Sequence, residues 1–450
     1  MRDLSTIFKA YDVRGVVPDE LDEDIARQTG AAFVRLLDAR RIVTAYDMRD
    51  SSPGLAAAFA EGATSQGADV VEAGLGSTDL LYFAAGRLDV PGAMFTASHN
   101  PAKYNGIKLC RAGAAPVGQE SGLAEIRAMV EQGLPAHGGS PGTVTRRDLL
   151  GDYAAFLREL VPGLDRIRPL KVVVDAGNGM GGLTVPVVFD GLPFDVTSLY
   201  FELDGSFPNH EANPIEPANT VDLRSRVVAE RADCGLAFDG DADRCFVVDE
   251  RGEVISPSVL TALIAVRELS REPGGTVIHN LITSKAVPEI VREHGGTPVR
   301  TRVGHSFIKA RMAETGAVFG GEHSGHFYFR DFWRADSGML AALHTLAALG
   351  TQQGPLSALA AGYARYAASG EVNSQVRDQQ GRMTAVEQAY TGRAGVEIDH
   401  LDGLTVQSAD GWWFNLRPSN TEPLLRLNVE APDEQSMARI RDDVLSLVRR

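Results

Sequence analysis

The chain repeats one local pattern: a short β-branched run that stops at a polar or glycine-rich turn. Arg41-IVTAYD and Ala68-DVVEAG read as strands, and Leu55-AAAFAEGATSQG between them reads as a helix. The pattern returns at Lys171-VVVD before AGNGMGG, at Cys234-GLAF before DGDADR and at Ala317-VFGG before EHSGH. Strands alternating with helices imply βαβ units and largely parallel sheets. Ligands of such sheets gather beyond the carboxyl ends of the strands, so the polar turns are where function is expected.

The C-terminal end reads differently. Gly395-VEIDHLDGLTVQSADGWWFNLR and LLRLNVEA, ending at Ala431, suggest antiparallel strands, and Asp433 to Arg450 suggests an amphipathic helix. Gly133 to Gly142, GLPAHGGSPG, is the clearest linker-like stretch, and Ala367 to Asn373 is a weaker one.

Charge and cysteine content narrow the functional classes. With 44 Lys+Arg against 59 Asp+Glu, the formal charge of −15 argues against nucleic-acid binding, which needs a basic face. An anionic small substrate then requires locally concentrated basic residues. Cys110, Cys234 and Cys245 form no CxxC pair and leave no legible disulfide framework. No apolar stretch reaches the roughly 18 residues of a membrane span, and the N-terminal residues show no apolar signal core. The expectation is a cytoplasmic protein without membrane partners.

Four segments carry the chemistry. In Asp239-Gly-Asp-Ala-Asp-Arg244, alternate positions of an extended segment would aim Asp239, Asp241 and Asp243 at one point. Three carboxylates that close need a cation among them, and hard oxygen donors favour Mg²⁺ or Ca²⁺. An EF-hand is excluded, because Arg244 stands where its sixth loop position needs glycine. Gly177-Asn-Gly-Met-Gly-Gly182 fits the dinucleotide fingerprint, with Glu202 after the next strand-like run. A following helix is not expected, since Leu183-TVPVVFD is β-branched and contains Pro186. The competing reading is a tight turn with close backbone packing.

Gly321-Glu-His-Ser-Gly-His326 clusters an acid, two imidazoles and a hydroxyl, with no third metal ligand apparent. Glu322 and Ser324 suit sugar hydroxyls, and His323 reads more readily as structural. Arg417-Pro-Ser-Asn-Thr-Glu-Pro423 reads equally as a hairpin turn or as a phosphate cradle built from Arg417, Ser419, Asn420 and Thr421. Finally, Phe95-TASHNPAKYNGIK concentrates polar groups directly after a buried-looking run.

In chain order, TASHNP at 96–101, DGDADR at 239–244, GEHSGH at 321–326 and RPSNTEP at 417–423 resemble the α-D-phosphohexomutase family. YDVRG at 11–15, YNGIK at 104–108 and VGHS at 303–306 are also similar to family segments, so the resemblance spans nearly the whole chain. GEHSGH is more similar to the bacterial phosphomannomutase and phosphomannomutase/phosphoglucomutase branch than to dedicated phosphoglucomutases, where GEES is expected. Ala102 departs from the second proline that often follows TASHNP.

The resemblance implies four domains around a central cleft: three α/β domains with mixed sheets and a smaller C-terminal α+β domain. The expected spans are 1–148 with a phosphoserine loop, 149–254 with a metal loop, 255–367 with a sugar loop and 368–450 with a phosphate loop. It implies that Ser98 carries a phosphoryl group, and that Mg²⁺ sits on Asp239, Asp241 and Asp243 with an oxygen of phosphorylated Ser98. Arg14 and Arg244 are expected nearby, with Lys108, His305 and His326 as unranked general acid/base candidates. Glu322 and Ser324 would hold the sugar, and Arg417, Ser419, Asn420 and Thr421 the distal phosphate.

The implied activity interconverts mannose 1-phosphate and mannose 6-phosphate through a 1,6-bisphosphate, extending to glucose phosphates, with hexose 1,6-bisphosphate as activator. The alternatives are a phosphoglucosamine mutase of the same family and, more remotely, an NAD-dependent dehydrogenase or a non-catalytic sugar-phosphate binding protein. Monomer and dimer are both open.

Overall fold

The computed structural model describes residues 4–419 and 424–450. Each βαβ run of the sequence becomes part of one of four separate sheets. The first contains β1 (Val13–Val16), β2 (Arg41–Tyr46), β3 (Asp69–Leu75), β4 (Gly92–Phe95), β5 (Tyr104–Cys110) and β6 (Val144–Arg146), in the order β1-β5-β4-β2-β3-β6. Its centre is parallel, and β5 runs antiparallel to both β4 and β1. Strand β4, GAMF, is buried at every position because helices cover both faces, as such a sheet requires.

The second sheet contains β7 (Leu170–Asp175), β8 (Phe194–Leu199), β9 (Cys234–Phe238), β10 (Cys245–Asp249) and β11 (Val254–Ile255), in the order β11-β10-β9-β7-β8. The third contains β12 (Thr276–Asn280), β13 (Thr297–Thr301), β14 (Phe319–Gly321), β15 (Phe327–Phe329) and β16 (Ala335–Asp336), in the order β13-β12-β14-β15-β16. Both are mixed. The fourth contains β17 (Ala367–Gln375), β18 (Val396–Asp399), β19 (Leu404–Ser408), β20 (Trp413–Pro418) and β21 (Leu424–Ala431). It is antiparallel throughout and backed by helices Gln379–Tyr390 and Glu434–Val448. The expected fold class, three mixed α/β domains and a smaller α+β domain, is borne out.

One apolar cluster runs through the first three domains. Phe83 of helix Thr78–Leu88 meets Phe156 of helix Leu150–Leu160 and Trp333 of the third domain, with ring centroids 5.5 and 6.2 Å away. The fourth domain has a core of its own. Its described hydrogen bonds to the third domain include Lys285 N–H to Glu430, Val303 N–H to Asp402 and Arg300 to Asp399. Three domains sharing a core and a fourth joined through polar contacts is an arrangement that permits the fourth to move against the rest. No helix among the described residues is long and apolar enough to cross a membrane.

Three local expectations are corrected. A helix, Gly181–Phe189, does follow the glycine-rich turn, with Pro186 inside it. Burial of Val185, Val188 and Phe189 in the shared core outweighs the low intrinsic propensity of this stretch. Ala367 to Asn373 is not a linker but most of strand β17, whose Ser-Gly pair sits in a register shift between Ala368 and Glu371. Gly133 to Gly142 is coil, but the chain then returns to add β6 to the first sheet beside β3, so the stretch lies within that domain's sheet rather than after it.

Candidate active site

Strand β4 delivers the first functional turn. Its chain leaves the sheet at Thr96, whose Oγ1 accepts the Ser98 N–H at 2.9 Å, and Ser98 adopts a left-handed backbone with φ +51°. That conformation costs a non-glycine residue about 1 kcal/mol or more and is kept only where surroundings impose it. The result is a hydroxyl turned toward the second domain, where Ser98 Oγ donates to Asp239 Oδ2 at 2.7 Å. The two domains approach closely because residue 240 is glycine: a Cβ there would lie 2.4 Å from the Ser98 carbonyl oxygen.

Asp239, Asp241 and Asp243 occupy the turn between β9 and β10. Their carboxylates converge within 4.8 Å, as expected, but not through an extended segment. The chain turns here, with Ala242 at φ +58°, and it is the turn that gathers the side chains. All three are buried, and the surrounding cations divide between them. Arg244 pairs with Asp239 at 2.8 Å, while Lys108 Nζ lies 2.7 Å from Asp241 and 2.6 Å from Asp243. Thr78, at the start of its helix, donates its hydroxyl to Asp241 at 2.6 Å.

Burial pushes the Asp239 carboxyl well above the usual range, and neighbouring Asp243 and Asp241 add to this against the pull of Arg244. Burial would raise Asp241 too, but Lys108 and the Thr78 hydroxyl override it and hold this carboxyl low. Burial opposes the charge on Lys108, yet Asp241 and Asp243 outweigh it and keep the amine an ammonium far into the alkaline range. Asp241 Oδ1 and Asp243 Oδ1 are buried with no hydrogen-bond partner among the described residues. Two orphaned hard oxygens beside a third carboxylate fit a small divalent cation.

The turn between β14 and β15 forms the opposite wall. Tyr328 donates to Glu322 Oε2 at 2.7 Å, and the Gly304 N–H donates to Oε1 at 3.1 Å, fixing the acid at the mouth of helix His305–Thr315. Ser324 Oγ and His326 Nδ1 are 2.9 Å apart. The other ring nitrogen of His326 faces Asp243 at 3.7 Å and Asp336 at 4.0 Å. Arg14 hydrogen-bonds Asn100 Oδ1 at 2.6 Å and pairs with Asp12, which places it on the serine turn. His99 Nδ1 stands 3.3 Å from Ser98 Oγ, and burial, then Arg244 and Arg14, keep its ring neutral.

The structure therefore brings Ser98, Lys108, Arg14, Arg244, His326 and the three aspartates together, with Glu322 and Ser324 alongside. Arg417 sits apart in the fourth domain, paired with Glu371 at 3.0 Å, and the Ser419 N–H donates to the Leu424 carbonyl at 2.8 Å. Asn420, Thr421 and the side chain of His305 lie outside the described residues. His323 is half-buried, and its buried Nδ1 lacks a partner among the described residues; desolvation lowers its basicity, opposed by Glu371 and reinforced by Arg417.

The glycines of 177–182 serve packing. A Cβ on Gly179 would lie 2.6 Å from the Gly240 carbonyl oxygen, and one on Gly182 2.2 Å from that of Phe201. The close-packing reading of this motif thus has direct support. Sequence reasoning missed Thr78, His99 and Asp336. Asp336 lies with Asp243 and His326 in a second group of possible ligand atoms, which does not include His323, and Lys309 lies 2.7 Å from it.

Known proteins give the same picture. Family models for phosphoglucomutase/phosphomannomutase match in four consecutive pieces: alpha/beta/alpha domain I at 5–136, domain II at 152–252, domain III at 257–366 and the C-terminal domain at 371–447. A protein named "Phosphohexose mutases" from Xanthomonas campestris is 41% identical, over 98% of each chain. A phosphomannomutase from Escherichia coli K12 is 38% identical, also over 98% of each chain. The crystal structure of a phosphoglucomutase/phosphomannomutase family protein from Burkholderia thailandensis superposes with a TM-score of 0.90 at 34% identity, covering 100% of this chain and 98% of that one. The chain belongs to the phosphoglucomutase/phosphomannomutase family.

Proposed function

We propose that this chain is a phosphomannomutase, interconverting mannose 1-phosphate and mannose 6-phosphate through phosphorylated Ser98, and that it also accepts glucose phosphates. The observation that carries the reading is the junction of Ser98 Oγ with Asp239 at 2.7 Å, ringed by Arg244, Lys108 and His326. In the first transfer the phosphorus–oxygen bond to Ser98 breaks, and a new one forms to the free sugar hydroxyl. The proton of that hydroxyl goes to a base while the departing Ser98 oxygen takes one from a general acid, so Ser98 is left as a free hydroxyl to take up the other phosphate of the 1,6-bisphosphate after it turns over.

Lys108, held as an ammonium by two carboxylates, suits donating a proton or stabilising charge. His326, oriented by Ser324 at Nδ1, offers Nε2 as the acceptor. His305 remains a third candidate. Arg244 and Arg14 stabilise the phosphoryl oxygens from either side of Ser98. Asp239, Asp241 and Asp243, with Ser98, would hold Mg²⁺, which when bound neutralises phosphoryl charge as a Lewis acid.

Glu322 and Ser324 contact hydroxyls shared by both substrate orientations, and Arg417, Ser419, Asn420 and Thr421 anchor the distal phosphate. Hexose 1,6-bisphosphate acts as activator by recharging an unphosphorylated chain. The test is kcat/KM on mannose 1-phosphate, glucose 1-phosphate and glucosamine 1-phosphate. The reading expects the mannose or glucose substrate to lead; a clear preference for glucosamine 1-phosphate would instead make the chain a phosphoglucosamine mutase.

A further inference from the structure

We infer that Arg49, a residue outside every recognised motif, is the positioning residue that imposes the geometry of the Ser98 turn. It follows β2 in the run Asp47-Met-Arg49, and its guanidinium is buried at 1% side-chain exposure. All five of its N–H donors are used. Nε binds Asp47 Oδ2 at 3.2 Å; Nη1 donates to the carbonyls of Pro101 at 3.0 Å and Tyr104 at 2.9 Å; Nη2 donates to those of Ser98 at 2.9 Å and Asn100 at 2.6 Å.

Four of the five thus end on backbone oxygens between residues 98 and 104, a segment that connects β4 to β5 with few ladder hydrogen bonds of its own. A single planar fork takes the place of secondary structure there, and that is a job for arginine rather than lysine. The fork is itself fixed. Asp47 Oδ1 accepts the Arg49 N–H at 3.0 Å and the Ser52 hydroxyl at 2.6 Å, and the ring of Phe207 from the second domain lies 5.0 Å from the guanidinium carbon.

Gly205 lets that second-domain loop close over the site, since a Cβ there would fall 2.7 Å from Arg49 Cα. The strained φ of +51° at Ser98 is what aims Oγ at Asp239, so the side chain that ties down the Ser98 carbonyl sets the direction of transfer. Arg49 touches no reacting atom. It acts through the backbone.

The inference rests on Ser98 being the phosphoryl carrier, and the experiment separates the two. Wild-type protein, Arg49→Met, Arg49→Lys and Arg49→Ala are charged with glucose 1,6-bisphosphate and followed by intact mass and by kcat and KM on mannose 1-phosphate. The Met variant is expected to lose about a hundredfold in kcat with KM within about threefold, the cost of misplacing a reacting atom by roughly 1 Å. The Lys variant, with an ammonium that reaches fewer carbonyls, should fall between it and wild type. Guanidinium chloride should restore the Ala variant at least about tenfold, and sodium chloride at equal ionic strength should not.

Folded Arg49 variants with kcat within about threefold of wild type would overturn the inference, as would activity losses that merely follow the folded fraction by circular dichroism. The Lys variant and the guanidinium rescue keep the test open if the Met variant fails to fold. A wild-type chain that never gains phosphate on Ser98 would instead remove the carrier reading beneath it.

Discussion

Asp79 offers a quantitative test of how the first three domains are joined. It is fully buried, and it accepts hydroxyls from all three: Ser77 of its own helix cap, Tyr153 at 2.8 Å from the second and Ser337 at 2.6 Å from the third. Burial pushes its carboxyl from an ordinary 3.8 up to about 6, despite those three donors. A carboxyl raised on folding contributes stability that is complete below its unfolded value and is lost as pH climbs through the folded one. A gap of roughly two pH units corresponds to about 3 kcal/mol, most of it lost between pH 4 and 7.

Asp79→Asn cannot ionise and escapes that loss. Whatever constant penalty it suffers from a weaker acceptor, its stability relative to wild type must improve by about 3 kcal/mol across this window. For 450 residues the unfolding entropy makes that about 3 °C in Tm. The assay is thermal unfolding of both proteins at pH 4, 5.5 and 7, read as the difference in Tm so that all other titrations cancel. A difference that stays flat over the range would refute the reasoning, because it would mean that Asp79 titrates as if solvated.

Three further outcomes are expected. Phe83→Ala should cost about 3–5 kcal/mol by emptying the aromatic junction with Phe156 and Trp333, visible as a lowered unfolding midpoint. Asp241→Asn, which removes one of the two orphaned carboxylate oxygens, should weaken Mg²⁺ binding about tenfold or more by calorimetry while leaving the circular dichroism spectrum unchanged. Ser98→Ala should abolish turnover of mannose 1-phosphate while still binding it; an active Ser98→Ala enzyme would exclude serine as carrier, and an inactive wild type with the same affinity would point to a binding protein.

What the sequence makes legible is what is local. The three aspartates lie within five positions, and a β9–β10 turn can converge them whatever its detailed path, so the metal reading survives although the extended geometry behind it does not. The strands with their polar ends are likewise short-range patterns. The helix at Gly181–Phe189 was hidden because burial in a core shared with distant segments overrides β-branching and Pro186.

Asp79 and Arg49 were invisible for a related reason. Tyr153 is 74 positions from Asp79, Ser337 is 258, and the Ser98 carbonyl is 49 from Arg49, so no spacing rule connects them. Asp336 completes the surroundings of His326 only because a β15–β16 hairpin folds it back.

The most direct measurement is intact mass with a phosphosite map before and after mixing with a hexose monophosphate. A charged chain should carry a single added phosphate at Ser98 and lose it to the sugar as the bisphosphate appears. A chain that turns over substrate with phosphate elsewhere, or with none at any time, would contradict the account.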